Sequence, residues 1–242
     1  MGKFLKMSVM ELGKIFRTKG IYIGIFIAML FSTAIGIQAK ITPQTFNSTH
    51  VYSFFSSICN LVLIVYGAKS LADEFQMKTS TQLFTSKQSR TKILLIKNMS
   101  MIFLALILAV IGTVILEVFK VVLGDNISAS IVLRDLWTEV YTFVLYAFVI
   151  STFASFVTIL SLNTTTAIVG TLAAFFLAPN IISMMMNKFP KMIKVLEIVP
   201  FYSADSLTNY HNVGTTGIII LVFFGVAFLL ANITIMNRLD LR

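Results

Sequence analysis

The chain has 242 residues, of which 57% are hydrophobic and only 12% are charged, and it carries a net charge of +9. A water-soluble domain usually has about a quarter of its residues charged, so this composition excludes an ordinary soluble domain. The apolar residues form long uninterrupted blocks, which predicts an integral membrane protein. The single cysteine, Cys59, excludes an intramolecular disulfide framework and a cysteine-based metal site.

The N-terminal segment, residues 1–19, has the periodicity of an amphipathic helix. Its apolar face carries Leu5, Val9, Leu12 and Phe16, while most of its basic residues lie on the other face. This pattern predicts a helix in the inner membrane interface, with its lysines towards the lipid headgroups. Physical chemistry alone favours a membrane anchor; the alternative is an elbow that contacts a cytoplasmic partner.

Six apolar segments are long enough to cross the bilayer, which takes roughly 20 helical residues. The predicted spans are residues 20–39, 51–72, 93–117, 136–160, 166–187 and 214–236. The block between Glu139 and Lys188 has no formal charge, and its length predicts two helices that meet at "SLNTTT", residues 161–166. Because the runs do not alternate as barrel strands do, we expect an all-α fold, with residues 1–242 forming a single transmembrane domain.

The charge distribution predicts the orientation of the chain. Six spans place both termini on one side, and a cytoplasmic N-terminus puts 13 basic and four acidic residues inside. The six basic and six acidic residues outside balance, so the whole excess of +9 lies inside, as the positive-inside rule requires. The basic balance therefore reflects topology, and nucleic acid is not a predicted partner.

A polar segment, residues 73–92, separates the second and third spans. It contains neither Gly nor Pro, and four large apolar residues, Phe75, Met77, Leu83 and Phe84, lie among its charges. A solvated loop has no need of these side chains. The segment is therefore predicted to contain a short cytoplasmic helix that packs against lipid headgroups or another protein.

A second segment of mixed character, residues 188–213, separates the fifth and sixth spans. It is too apolar for a free loop and too charged for a span, and Pro190 and Pro200 bound a short helix within it. This pattern predicts short outer helices, either interfacial or re-entrant.

Small and polar residues inside the spans predict helix packing. A stripe in the fifth span has helical spacing and lets two backbones approach closely, either within the chain or against a second copy. The stripe consists of Ala167, Gly170, Thr171, Ala174 and Ala178. Asn60 in the second span is predicted to make an interhelical hydrogen bond.

The motifs of catalysis are absent from the sequence. No HExxH, GxSxG or Walker motif occurs, so we predict neither an enzyme nor a bound cofactor or metal. An autonomous carrier or channel would favour carboxylates at the middle of the membrane or broken helices there. Glu117, Asp135 and Glu139 lie near span ends, where they are interpreted as solvated, and this counts against that class.

Two stretches of the sequence resemble the permeases of type-2 ATP-binding-cassette (ABC) exporters. The "ELGKIFRTK" stretch, Glu11 to Lys19, resembles the connecting helix of that family. The cytoplasmic segment matches its coupling loop at Glu74, Thr79, Leu83, Phe84, Ser89, Arg90, Ile93, Leu94 and Lys97. Six spans in a chain of this length, without an attached nucleotide-binding domain, also fit the family.

The resemblance implies a function and a set of partners. In that family a coupling helix docks on a separate ATPase, expected in two copies, which binds ATP and Mg and drives two permeases, here a homodimer. Short members export amphipathic or antimicrobial peptides from the bacterial cell, across the plasma membrane. The implied coupling residues are Glu11, Arg17, Asp73, Glu74, Phe75, Met77, Thr79, Leu83, Phe84, Ser89 and Arg90. The implied outer gate consists of Met185, Met186, Pro190 and Pro200, and the small-residue stripe would then favour the dimer contact.

Overall fold

A computed structural model describes residues 2–76, 89–125, 127–211 and 213–238, and over these ranges it is helical without any strand. The helices begin with α1 (Gly2–Phe16), α2 (Lys19–Ile41), α3 (Ser48–Gln76), α4 (Arg90–Leu123) and α5 (Ala129–Ser161). They continue with α6 (Thr164–Leu172), α7 (Ala178–Lys188), α8 (Ile193–Leu196), α9 (Pro200–Tyr210) and α10 (Thr215–Arg238). A π-helical turn, Ala173–Leu177, joins α6 to α7, and a 3₁₀ turn, Pro190–Met192, precedes α8.

Six helices of the described chain are long and apolar enough to span a membrane, which confirms the predicted number. They are Lys19–Ile41, Ser48–Phe75, Arg90–Leu123, Ala129–Ser161, Thr164–Lys188 and Thr215–Arg238. The main differences from the predicted bounds lie at α4 and α5, which have 34 and 33 residues. Each is about 50 Å long, against a hydrocarbon core of about 30 Å. The prediction stopped at charged residues, but the helices continue because those charges pair with one another.

The turn between α5 and α6 lies within the polar "SLNTTT" cluster. Leu162 ends α5 in the left-handed region with a φ of 50°. The side chain of Asn163 then accepts hydrogen bonds from the backbone N–H groups of Thr165 and Thr166, at 2.8 and 3.4 Å. An N-cap of this kind satisfies amides that the first turn of a helix leaves free, so the chain reverses direction within two residues.

Helix α3 lies at the centre of the bundle and packs against α2, α4, α5 and α6. Its buried side chains include Phe55 and Leu63. Two glycines allow α2 to approach closely: a Cβ on Gly20 would lie 2.9 Å from the Tyr66 hydroxyl, and one on Gly24 would lie 2.6 Å from Val62 Cγ2. Larger residues at either position would push the two helices apart.

The amphipathic N-terminal segment forms α1, which packs against α4 and α2. Leu12, Ile15 and Phe16 contact the hydrophobic core, whereas Leu5 and Val9 at the start of the predicted apolar face remain exposed. The helix is therefore attached to the bundle along its second half.

Helix α9 enters the bundle rather than lying on its surface. Leu207 and Thr208 are fully buried. The ring of Phe201 lies 5.6 Å from that of Phe153 on α5 and 5.5 Å from that of Phe224 on α10. The predicted segment 188–213 thus contributes an internal helix as well as the exposed stretch around Pro190.

Candidate functional site

A buried ion cluster joins three helices at the end of the bundle that carries α1, the start of α4 and the end of α10, here called the proximal end. Lys97 Nζ on α4 lies 3.4 Å from Glu11 Oε2 on α1 and 3.3 Å from Glu74 Oε1 on α3. It also donates to the carbonyl oxygen of Ser70. The Lys97 side chain is only 5% exposed, so these acceptors replace its hydration.

A second lysine, Lys14, completes the cluster from the surface of α1. Its Nζ lies 2.6 Å from Glu11 Oε1 and 3.8 Å from Glu74 Oε1. Partial burial lowers the pKa of Lys14, but the hydrogen bond to Glu11 and the charges of Glu11 and Glu74 outweigh this effect and raise it. Two ammonium groups and two carboxylates therefore balance in charge.

The cluster forms one wall of a cavity of about 360 Å³. Thr18, in the turn after α1, also lines the cavity, and its hydroxyl makes a 2.8 Å hydrogen bond with that of Tyr66. Lys69 and Asp73 also line the cavity. The last turns of α3 thus face α1 across a polar space.

The other predicted coupling residues differ in their surroundings: some contact the ends of helices, one is exposed, and four cannot be described. Ser89 caps α4 by accepting from Lys92 N at 3.3 Å, and Arg90 Nη1 donates to the carbonyl oxygen of Met236 at 2.7 Å, in the last turn of α10. Phe75 packs on a cluster that includes Met236, while Arg17 is exposed. The remaining four lie outside the described residues: Met77, Thr79, Leu83 and Phe84. Arg90, predicted to face a partner, therefore ties α4 to α10.

The predicted coupling set lacks both lysines of this cluster, Lys14 and Lys97, and Lys97 is the buried one. Lys97 matched the family loop and also lay inside the predicted third span, 93–117. A charged residue within a span needs a partner inside the protein. The position of Lys97 in the sequence therefore could have predicted a buried ion pair. Its two acidic partners, Glu11 and Glu74, were both in the predicted set.

The small-residue stripe packs within the chain. Ala167 is fully buried against Ala68 and Ala72 of α3 and Ala154 of α5. A Cβ on Gly170 would lie 3.2 Å from Val157 Cγ1. Thr171 is also fully buried, and Ala174 and Ala178 are half-buried. The stripe allows α6 to pack closely on α3 and α5.

The four outer-gate candidates differ in their surroundings. Met186 is buried, whereas Met185 and Pro190 are exposed. Pro200 occupies the first turn of α9, where its missing N–H leaves no hydrogen bond unmade.

A polar seam joins α9 to α3 inside the bundle. Ser56 Oγ and Ser57 Oγ each donate to Asn209 Oδ1 at 3.1 Å. Asn60 Nδ2 donates to Thr208 Oγ1 at 2.7 Å, which confirms the interhelical hydrogen bond predicted for Asn60. Between buried helices such bonds each contribute about 1 kcal/mol.

Asp205 on α9 borders this seam and accepts a 2.9 Å hydrogen bond from Asn209 Nδ2. Burial raises its pKa from 3.8 to about 6, and the bond from Asn209 offsets only part of that effect. The folded state therefore holds the proton more tightly than the unfolded chain. The contribution of this group to stability falls as the pH rises from about 4 to about 6 and stays low above that.

Replacing Asp205 with asparagine is expected to stabilise the protein above pH 6, because the variant has no carboxylate to ionise. A shift of this size corresponds to at most about 3 kcal/mol at pH 7.5, and the gain should disappear near pH 4. The test is the melting temperature of both proteins in detergent at several pH values. Asp125→Asn, which removes an exposed carboxylate, is the matched control; an equal gain at all pH values for Asp205→Asn would contradict the account.

A second ion cluster lies at the opposite, distal end, where α4 ends and α5 begins. Lys120 Nζ lies 2.9 Å from Glu117 Oε1 and also pairs with Asp135. His211 Nε2 lies 3.2 Å from Glu139 Oε1, and the Glu139 side chain is 1% exposed. The interpretation of these carboxylates as solvated helix ends is therefore wrong for Glu139, because α9 and the residue that ends it cover this part of α5.

Comparison of the chain with models of known protein families finds no match, and comparison with curated proteins finds none. The resemblance to ABC exporter permeases therefore rests only on the residues quoted from the sequence.

Proposed function

We propose that this chain is the membrane subunit of an ABC exporter. A separate ATPase, present in two copies, binds ATP and Mg and supplies the energy, and two copies of this chain form the transport pathway in a bacterial plasma membrane. The cargo is an amphipathic or antimicrobial-type peptide. The proximal end, with α1 and segment 73–92, faces the cytoplasm.

The buried Lys97 cluster is the observation that carries this proposal. Helix α3 continues to Gln76 and so includes the first four residues of the polar segment 73–92, which the resemblance assigns to ATPase docking. Glu74 on its last turn is tied through Lys97 to α1 and α4. A force applied to the segment would therefore reach three helices as a unit, because breaking a buried pair costs several kcal/mol. A subunit without catalytic motifs needs such a rigid connection to its energy source.

An ATPase-independent carrier or channel is the second candidate. Buried carboxylates favour it: Glu139, which was interpreted as solvated near the end of a predicted span, lies in the bundle wall, and Asp205, outside every predicted span, lies on the internal helix α9. Intramembrane carboxylates mark ion pathways in such proteins. Glu139, however, belongs to the ion cluster of the distal end, at the opposite end of the bundle from Lys97.

The deciding experiment is purification of the tagged full chain from its native membrane in mild detergent, with identification of the co-purifying proteins by mass spectrometry. The proposal predicts a stoichiometric partner that carries a Walker motif. Absence of any ATPase, under conditions that preserve other membrane complexes, would contradict the exporter and favour the carrier.

Two variants of the segment 73–92 test whether the ATPase binds there. Replacing Leu83 and Phe84 with alanine is expected to lower recovery of the ATPase by about tenfold or more, because apolar anchors dominate such interfaces. Replacing Gln82 and Gln88 with alanine in the same segment is the matched control and should retain the partner. Arg90 is unsuitable here, since its loss would also free the end of α10. Equal recovery with both variants would place the ATPase elsewhere.

A further inference from the structure

The stretch that follows the fifth span carries two rows of exposed side chains at the distal end of the bundle. The lysine row consists of Lys188, Lys191 and Lys194. The apolar row consists of Phe189, Met192, Val195 and Ile198. Every member of both rows is exposed. Both rows recur every three residues, so charged and apolar side chains are interleaved along the whole stretch, a pattern typical of segments that lie in the membrane interface.

The length of the fifth span places the first lysine at the membrane surface. The helix from Thr164 to Lys188 has 25 residues and is about 37 Å long, against a hydrocarbon core of about 30 Å. Because it begins at the polar turn on the proximal side, its far end extends into the headgroup layer. Leu177, Ile181 and Met184 are exposed at helical spacing, and Lys188 continues the same face. The lysine row therefore begins where a lipid-facing helix face ends.

The residues after Lys188 stay close to this level. The 3₁₀ turn Pro190–Met192 and helix α8 both pack against α7, and Leu196 of α8 is buried. Lys188 Nζ lies 5.8 Å from the ring centroid of Phe189, so charge and apolar surface lie side by side. The bundle thus holds both rows in the interface, and they do not extend freely into water.

The protein does not neutralise the charge of the lysine row. None of its three ammonium groups pairs with a carboxylate in the part of the chain that the structure describes. Residues 188–198 contain three lysines and one glutamate, a net charge of +2. The outside segments together carry six basic and six acidic residues, so those other than 188–198 carry three and five, a net charge of −2. In the proposed orientation the row is an outer concentration of positive charge, which the positive-inside rule does not explain.

We propose that the lysine row binds the headgroups of anionic phospholipids in the outer leaflet, while the apolar row lies at the boundary of their acyl chains. A lysine near an anionic membrane surface is attracted to it, and the apolar side chains beside it gain free energy by leaving water. A zwitterionic lipid carries its own ammonium group, which offsets its phosphate, so it neutralises a net charge of +2 less well. A soluble acidic protein also fits less well, because it would have to enter the headgroup layer to cover the apolar row.

This lipid contact does not depend on the ATPase. It requires only that the fifth span crosses the membrane, and it holds whichever energy source drives the protein. In the opposite orientation the same lysines would face the other leaflet, and the same lipid chemistry would apply.

The test measures which lipid contacts the stretch when the full chain is reconstituted in vesicles. Trp137→Phe removes the single tryptophan of the chain, and Phe189→Trp then supplies the only indole, next to Lys188. The vesicles contain phosphatidylcholine and phosphatidylglycerol in equal amounts, with bromine on the acyl chains of one lipid or of the other. Brominated chains quench the fluorescence of an indole that they contact, so the two measurements give the relative binding constant of the two lipids.

Phosphatidylglycerol is expected to bind about five times more strongly than phosphatidylcholine, the preference that one lysine beside an anionic lipid supplies. In about 1 M sodium chloride, where the Debye length is about 3 Å, this preference should largely disappear. Equal quenching by the two lipids, or a preference that salt does not weaken, would overturn the proposal.

Substitutions in the lysine row assign the effect to these side chains. Lys188→Gln, Lys191→Gln and Lys194→Gln together are expected to abolish the preference at the indole. Exchange of the same three lysines for arginine keeps the charge and should keep the preference, which provides a decision even if the glutamine variant does not insert. A preference that survives in the glutamine variant, or is lost in the arginine variant, would contradict the assignment.

The matched control changes the net charge by the same amount at the opposite end of the bundle. Lys3→Gln, Lys6→Gln and Lys19→Gln remove three exposed lysines from the proximal end, and the preference at the indole should stay about fivefold. An equal loss in this variant would mean that the indole reports the total charge of the protein, and the proposal of a local lipid site would then be wrong.

Discussion

Replacing Lys97 with methionine is expected to lower the free energy of unfolding by about 3–5 kcal/mol. Methionine fills a similar volume but leaves Glu11 and Glu74 without the ammonium group that both contact. It also removes the side-chain donor to the carbonyl oxygen of Ser70. Because this group links α1, α3 and α4, its loss should weaken the attachment of α1 as well as the bundle.

The measurement uses Cys59, the single cysteine of the chain, which is fully buried. A thiol-reactive dye labels it only when the bundle opens, so the temperature at which labelling begins reports unfolding. Lys69→Met is the matched control: it removes an exposed ammonium group from the lining of the same cavity. It should change stability by less than about 0.5 kcal/mol. Equal effects of the two substitutions would show that the buried ammonium group stabilises the protein no more than an exposed one.

A thermodynamic cycle then isolates the pairing from the volume change. A chain that already carries Glu11→Gln and Glu74→Gln has no carboxylate left for Lys97 to neutralise. The cost of Lys97→Met should therefore fall by more than 1 kcal/mol in that background, because residues in one ion network are not additive. A cost that is the same in both backgrounds would assign the effect of Lys97 to packing.

Replacing Phe153 with alanine is the second substitution expected to have a large effect, about 3–5 kcal/mol. Its ring lies within 5.3 to 6.2 Å of four others: Phe175, Phe201, Phe224 and Phe228. These rings come from the π-helical turn, α9 and α10. Truncation of Phe153 thus removes contacts between α5 and three other parts of the bundle, and α9 should lose order first.

Phe156 on the same helix offers the control. Its ring contacts only that of Phe228 among the ring pairs of the described residues, at 4.8 Å, so Phe156→Ala should cost less than half as much. Both variants are compared by the onset of Cys59 labelling. Protease sensitivity of the stretch between Lys188 and Pro200 should rise in Phe153→Ala alone. A similar loss in both variants would mean that the number of ring contacts does not determine stability here.

The spans could be predicted from sequence because hydropathy is a local property. Residues 20–39 and 214–236, for example, contain no charge, so they can be predicted as spans without knowing which residues they contact. The same criterion ended the third span at Glu117, although α4 continues to Leu123. Whether a charged residue ends a helix depends on its partner. Lys120 pairs with Glu117 on the same helix and with Asp135 on another.

The site was only partly predictable, for a related reason. The resemblance selected Glu11 and Glu74, but nothing in the sequence joins residues 63 positions apart through Lys97. The resemblance also assigned Arg90 to a contact with a partner, whereas its guanidinium contacts the backbone of Met236, 146 residues away. Pairings of this kind depend on how the helices pack, and a single sequence does not encode that packing locally.

The position of α9 has a consequence for how the protein is made. Its 11 residues extend about 16 Å, too short to cross a bilayer, and they include Ser203, Asp205, Ser206, Thr208 and Asn209. Such a segment cannot partition into lipid alone, because its polar side chains depend on hydrogen bonds that α3 donates, on the carbonyl oxygen of Glu197 and on bonds within α9 itself. We therefore expect α9 to enter the bundle only when α3 is in place to supply these partners, so that its incorporation follows the insertion of that span.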